Sequence, residues 1–414
     1  MMARRWLGGT AVTVAVVLAA PAFAHQPLPG PEDLIRRFEP AEIEVPEPAF
    51  GAGRTLPFTV RAHAYGRDFL LALRPSKVAI GWPNVFEGTV AGESDSRVAV
   101  TIEGGVLDGL ARIGSEIYFF EPARRFDPDA AARATVAYRL SDISQRVPGS
   151  SLLRDRLRRR LERGRVGGSA AAAQVAGTFP ARLDVALVAD FEYSSRFGNG
   201  TEARMVTILN MVNAIYLDQL NLRFRMIHQE VFRTASDPFS DFNSSNLFSN
   251  FKNAATEFGS WRSRQSGPAR TAGLAHLFSN RSLGLTSGGA GFGFINVLCS
   301  ASKGVGISTT PGFDSTGLQA LIIEHEFGHN FGAPHDGEGS CAGAPAGHIM
   351  APSATGTTFS DCSKGIMTAK AEAASCVTKN VAITTTTSST TTTTMSAPAC
   401  AQPLTTGPAP TATD

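Results

Sequence analysis

The sequence predicts an α/β domain on a mostly parallel sheet in its second half, preceded by a small antiparallel β domain. Two observations predict this. From Phe179 onward, short apolar strand patterns alternate with helical ones. Between Phe58 and about Leu140, alternating apolar runs are broken by glycine turns. Of the 414 residues 43% are hydrophobic, enough for two ordinary domains with buried cores. A formal net charge of +2 gives no reason to expect a nucleic-acid partner.

The elements follow in chain order. Arg4 and Arg5 precede the apolar run Leu7 to Ala20, and Ala22-Phe23-Ala24 has the small-x-small pattern of a cleavage site. Residues 1–24 therefore read as a signal peptide rather than an anchor, because the run is short for a span and ends in Pro21. No second stretch is long and apolar enough to cross a bilayer, so the mature chain is expected to be exported without a membrane span. Residues up to about Pro57 are proline-rich and read as extended. The β domain follows, with runs such as Phe69-Leu70-Leu71-Ala72-Leu73 and Ser96-Arg97-Val98-Ala99-Val100-Thr101-Ile102, and with Gly104-Gly105 and Gly114 as hairpin turns.

Leu153, Leu157 and Leu161 recur every four residues among arginines, so the stretch from Ser151 is a basic helical face. It reads equally as a solvated helix or as a processing site ending at residue 165, because residues 166–178, starting Val166-Gly167-Gly168-Ser169, look like a linker. In the second domain, 179–380, Leu183 to Ala189 reads as a strand and Thr201 to Leu220 as a helix. Leu222 to Phe232 is a strand, Asn246 to Arg262 a helix and Leu274 to Phe278 a strand. Residues 381–414 are rich in Thr, Ser and Pro and cannot bury a core; they read as a disordered tail or a glycosylated stalk that associates the protein with a surface.

All five cysteines, Cys299, Cys341, Cys362, Cys376 and Cys400, fall late. In an exported chain they read as disulfide partners, with Cys400 left over in the tail; four cysteines permit three pairings.

Three of the eight histidines sit within eleven residues, in His325-Glu326-Phe327-Gly328-His329-Asn330-Phe331-Gly332-Ala333-Pro334-His335-Asp336. The apolar Leu318 to Ile323 before them is helix-compatible, which puts His325 and His329 on one helical face, able to share one small cation. Glu326 lies beside the ligands without occupying a coordination position. Gly332 stands where the helix must stop, and its tolerance of positive φ lets the chain return His335 as third ligand. Three protein ligands leave a fourth position to water, the arrangement of a catalytic zinc site. The expected chemistry is attack of a metal-activated water on a peptide carbonyl, with Glu326 as base. Five specified residues at these offsets arise by chance in on the order of one such chain in a hundred thousand.

The pattern His-Glu-x-x-His-x-x-Gly-x-x-His followed by Asp336 resembles the reprolysin (adamalysin) branch of the metzincins, the group of snake-venom metalloproteases and ADAM proteases. Ile349-Met350-Ala351-Pro352 is similar to the family's methionine turn, which makes Met350 a structural base for the site. The resemblance implies a mixed, mostly parallel twisted sheet with an active-site helix. It also implies one catalytic zinc held by His325, His329 and His335, and disulfides Cys299–Cys376 and Cys341–Cys362. Leu183 to Asp190 is similar to the family's first strand, Ala275-His276-Leu277-Phe278 to the edge strand that pairs with extended peptide, and Gly289-Ala290 through Cys299 with Val305-Gly306-Ile307 to the stretch leading to the active-site helix. Gly88-Thr89-Val90, Ser96 to Val100, Gly109-Leu110 and Tyr118 to Pro122 resemble its propeptide, so residues 25–165 are expected to be an inhibitory propeptide.

The sequence also departs from the family. That region has no cysteine to silence the metal, and His63 is only a weak substitute. Asp184 and Asn380 stand near the family's calcium positions, but Gly273 replaces its aspartate, which argues against Ca2+. His276 and His348 read as structural residues on the edge strand and beside the methionine turn. Gly284 to Gly293 and Ser308-Thr309-Thr310 read as a loop, lacking the lysine and following helix of a phosphate cradle. The whole reads as an exported zinc metalloendopeptidase made as a zymogen. The alternatives are a catalytically silent adhesion or binding protein on the same fold, against which Glu326 is retained, and a zinc hydrolase of non-peptide substrates.

Overall fold

Alternation along residues 58–140 resolves into seven strands, and an eighth comes from the proline-rich region ahead of them. A computed structural model of the chain describes residues 35–46, 57–143, 181–285, 289–311, 314–352 and 356–379. The signal segment 1–24, the basic stretch 151–165, the linker 166–178, Asn380 and the tail 381–414 with Cys400 lie outside them.

Strands β1 (Glu39–Glu44), β2 (Phe58–Ala64), β3 (Arg67–Pro75), β4 (Val85–Val90), β5 (Ser96–Glu103), β6 (Val106–Ile113), β7 (Glu116–Pro122) and β8 (Thr135–Arg139) form a closed antiparallel barrel in sequence order. Strand β1 closes it, pairing Glu42 with His63 on β2 and Pro40 with Val136 on β8. The inward positions of the alternating strands, among them Val60, Phe69, Leu71, Val98, Val100, Leu107 and Phe120, fill the interior. Between β5 and β6 the pair Glu103↔Val106 leaves a two-residue turn, with Gly104 and Gly105 at φ 58° and 87°. Those angles match the twist of the flanking strands and are open to glycine at no steric cost.

The second half builds a six-stranded sheet from β9 (Ala181–Ala189), β10 (Leu222–Val231), β11 (Leu274–Ser279), β12 (Ala290–Gly293), β13 (Val305–Thr309) and β14 (Val377–Lys379). The order is β10-β9-β11-β13-β12, with β14 beside the start of β9. Pairing is parallel among β10, β9, β11 and β13, while β12 and β14 are antiparallel. The sheet is thus mixed and mostly parallel.

Three expectations are corrected by the sheet. Ser308 and Thr309, which read as a loop from sequence, end the interior strand β13. Ala275 to Phe278 lies inside the sheet: Ala275 pairs with Ala186 on one side and with Val305 on the other. The edge strand is β12, inside the glycine-rich stretch that reads as a loop from sequence; with only four residues and two glycines it has no alternation to detect.

Among the described residues six α-helices, beside four short 3-10 helices, complete the fold: α1 (Phe191–Phe197), α2 (Thr201–Leu220), α3 (Leu247–Arg264), α4 (Gly267–Thr271), α5 (Thr316–Asn330) and α6 (Asp361–Ala373). Helix α2 is buried almost all round, so its polar positions need partners. Asn213 accepts the Phe224 N–H at 2.8 Å, and Asn210 donates to the Phe86 carbonyl of β4 at 2.8 Å. One continuous core runs from barrel residues Val85, Leu110 and Phe119 through Ile208, Val212 and Ile215 of α2 to Leu321 and Phe327 of α5. Two disulfides join Cys299 to Cys376 and Cys341 to Cys362.

Candidate metal centre

Every residue of α5 is buried, and its N-cap is Ser315, whose hydroxyl accepts the Leu318 N–H at 3.1 Å. Four residues and about 6 Å of helical rise separate His325 from His329, so their rings share a face, with centroids 4.6 Å apart. The helix ends at Asn330. The Gly332 N–H then bonds to the His329 carbonyl at 2.8 Å, and Gly332 takes φ +102°. That left-handed step turns the chain back and brings His335 to the same point.

One ring nitrogen from each of the three histidines lies within 4.8 Å of the others, and His329 Nε2 is 3.2 Å from His335 Nε2. The opposite nitrogens settle the tautomers. His325 Nδ1 meets the Ile349 carbonyl at 2.8 Å and His329 Nδ1 the Ala333 carbonyl at 2.8 Å. His335 Nδ1 faces Glu338 Oε2 at 3.3 Å. A carbonyl oxygen only accepts, so Nδ1 of His325 and of His329 carries the proton and leaves the Nε2 lone pair aimed inward. Burial lowers the pKa of His325 to about 3 and that of His329 well below its ordinary value, helped by the neighbouring histidines, so the imidazoles are neutral. Three converging nitrogen donors with no thiolate suit a borderline divalent ion such as zinc.

Met350, fully buried, lies under this helix: a Cβ on Gly328 would collide with its Sδ. Asp336 links the third histidine to that turn. Its N–H bonds to the Met350 carbonyl at 2.9 Å, and its carboxylate accepts from Ser360 Oγ at 2.6 Å and Ser363 Oγ at 3.0 Å at the start of α6.

Glu326 points toward the edge strand. An added Cβ at Gly291 would lie 2.6 Å from Glu326 Cγ and 2.7 Å from Oε1, so glycine there leaves the carboxylate its place. Burial raises the Glu326 pKa to about 8, against a backbone hydrogen bond from Gly293 that lowers it.

Other histidines and acids singled out from sequence lie elsewhere. His276, on interior β11, bonds Nε2 to Ser308 Oγ at 2.9 Å and packs on Phe278 and Phe327; burial lowers its pKa to about 3. His348 contacts Thr358 beside the methionine turn, and His63 pairs with Asp68 on the barrel at 2.7 Å. The Asp184 carboxylate is gripped by Arg225 at 2.8 and 2.5 Å. Glu324 was not anticipated: it directly precedes His325, is buried, and has no hydrogen bond to either carboxylate oxygen. Burial holds its pKa well above the ordinary carboxylate range.

A mixed sheet with a short antiparallel edge above a helix bearing two histidines, and a third returned by a glycine turn, defines a metallopeptidase domain. Residues 180–363 match the Reprolysin_5 model of metallo-peptidase family M12, and this domain belongs to the reprolysin-type metzincins. The chain is 28% identical over 185 residues to "Disintegrin and metalloproteinase domain-containing protein 9" of Homo sapiens, covering 44% of this chain and 21% of that protein. It is 25% identical over 319 residues to "A disintegrin and metalloproteinase with thrombospondin motifs 1" of Bombyx mori, covering 69% of this chain and 30% of that one. The chain therefore spans less than a third of the length of either relative. A solved structure titled "Structure of a chaperone-substrate complex" aligns at 21% identity over 38% of this chain and 24% of that chain; its TM-score of 0.27 is too low to inform the architecture. The family implies zinc, and the histidine cluster fits it.

Proposed function

We propose that the protein is an exported zinc-dependent endopeptidase in which His325, His329 and His335 hold the metal and Glu326 is the general base. The convergence of three Nε2 lone pairs, each ring oriented through its Nδ1, carries the reading. A bound zinc would supply Lewis acidity for the scissile carbonyl and make an adjacent water more acidic. The chain's own residues do the rest. Glu326 takes a proton from that water and gives it to the leaving amine. Strand β12, antiparallel at the sheet edge and touching Glu326, suits a substrate bound in extended form by backbone pairing. Export is supported by the signal-like residues 1–24 and by the two disulfides. No helix among the described residues is long and apolar enough to cross a membrane. The barrel, Glu39 to Arg139, reads as the propeptide region of a precursor processed in 151–165.

Asp184 is already neutralised by Arg225, which speaks against calcium there. A silent binding protein is the weaker reading, because Glu326 keeps both its acid and its room beside Gly291.

Purified protein should contain about one zinc per chain and cleave casein, and chelation should abolish cleavage. Glu326→Ala should remove activity, by on the order of a thousandfold, with the metal still bound. A Glu326→Ala protein that digests casein as fast as the parent overturns the proposed mechanism.

A further inference from the structure

The third histidine of the cluster is held differently from the other two. His325 and His329 sit on α5 and give their Nδ1 protons to backbone carbonyls, those of Ile349 and Ala333. His335 stands beyond the helix, in the loop after Gly332, and its Nδ1 faces a side chain, Glu338 Oε2, at 3.3 Å. Asp336, the acid that the sequence motif singles out, does not serve the ring. Its Oδ1 takes the hydroxyls of Ser360 and Ser363, and its N–H the Met350 carbonyl.

A tight turn brings Glu338 to His335. The Glu338 N–H bonds to the His335 carbonyl at 3.0 Å, and the Cys341 N–H bonds to the Glu338 carbonyl at 2.9 Å. The Gly337 N–H closes the turn on the Cys341 carbonyl at 2.9 Å, and Cys341 is tied to Cys362 on α6. The side chain of Glu338 is 17% exposed and that of His335 9%. Their contact lies largely out of water, where a hydrogen bond to a charge is strengthened.

A neutral imidazole carries one proton, on Nδ1 or on Nε2. For His335 the two places have opposite consequences. Its Nε2 lies 3.2 Å from His329 Nε2, the bare nitrogen of that ring. With the proton on Nε2, His335 would donate to His329, and one bond would occupy two of the three inward nitrogens. With the proton on Nδ1, it goes to the Glu338 carboxylate, and all three Nε2 lone pairs stay available. The two contacts are of nearly equal length, so the charge of the acceptor decides between them. A bond to a carboxylate is roughly twice as strong as one between neutral groups, and it also makes the ring a more basic ligand.

We propose that Glu338 is a positioning residue for the third metal ligand. Its carboxylate keeps the His335 proton on Nδ1 and so prevents His335 from donating to His329 and closing the site on itself. This deepens the zinc-site reading and rests on it.

The test uses full-length protein stripped of metal, with nitrogen-15 in its histidines, at about pH 8, where an ordinary histidine is neutral. Long-range proton–nitrogen spectra read which ring nitrogen holds each proton, and a His335→Ala spectrum assigns the third ring. The parent should show His335 protonated on Nδ1, and Glu338→Ala should move that proton to Nε2. Zinc affinity, read by competition with a chromogenic chelator, should fall ten- to hundredfold in Glu338→Ala, with the zinc-free melting temperature unchanged. Glu338→Gln keeps an accepting oxygen without the charge; it should show both tautomers and an intermediate affinity. Asp361→Ala, which removes an exposed acid of α6, should match the parent in both measurements. An unmoved His335 proton in Glu338→Ala overturns the proposal, and so does a zinc affinity within twofold of the parent's. If that variant does not fold, Glu338→Gln decides, and parent-like tautomer and affinity there overturn the proposal. The tautomers are read without zinc, so a parent that binds no zinc would sink the reading of the site and leave the hold of Glu338 on His335 separately testable.

Discussion

Side chains around Glu326 are placed so closely that a single methyl group is informative. At Gly291 an added Cβ would fall 2.6 Å from Glu326 Cγ, closer than carbon atoms pack, so Gly291→Ala must displace the carboxylate. Zinc content should be unchanged and kcat on a casein-derived peptide should fall at least tenfold; metal analysis beside steady-state kinetics checks both. Asp190 gives a residue-scale test away from the metal. It is buried, accepts from Ser279 and Tyr193, and shares Arg281 with Glu192 and Asp237, so burial raises its pKa from 3.8 to about 7. The folded state then binds the proton more tightly than the unfolded state. The stability this confers is complete below about pH 4 and is lost as pH rises through about 7. Melting temperature should decline across that window, and Asp190→Asn, which keeps a capping side chain, should flatten the decline. The ligand histidines and Glu326 were legible because the spacing of one short segment encodes them. The acceptors that orient those rings, Ile349 and Ala333, act through backbone carbonyls, which no residue type announces.

Among the elements, the long helices were readable because each carries enough turns for a period to show. Thr201 to Leu220 is a helix over those same bounds. Several strands were not readable, among them two with opposite reasons. Strand β1 is short and proline-bearing, and it exists because β8, some ninety residues on, offers it an edge. Strand β12 is held by β13 and by the glycines that let it approach α5. The turn after α5 is the most exacting element. Gly332→Ala places a side chain at φ +102°, which should cost about 1 kcal/mol or more of stability and loosen His335. Weaker zinc affinity with an intact helical spectrum is the expected signature. The Cys341–Cys362 bridge closes the loop that contains Met350, with a sequence separation of 21. Replacing both cysteines by serine should remove about 3 kcal/mol from the unfolding free energy, read from denaturant titration.

At the scale of the molecule, the two-part organisation was legible and the joint between the parts was not. Glu121 and Gly317 are 196 residues apart, and nothing local in either segment points to the other. Closure of the barrel was equally hidden, since alternation reports that a strand has a buried face but not whether the sheet's ends meet. The hydrogen bonds that aim His325 and His329 form entirely between protein atoms. Because those bonds need no cation, loading is expected to be a reversible event separate from folding. Metal-stripped protein should keep its circular dichroism and its melting profile nearly intact, and should regain catalysis within mixing time on adding Zn2+ or Co2+.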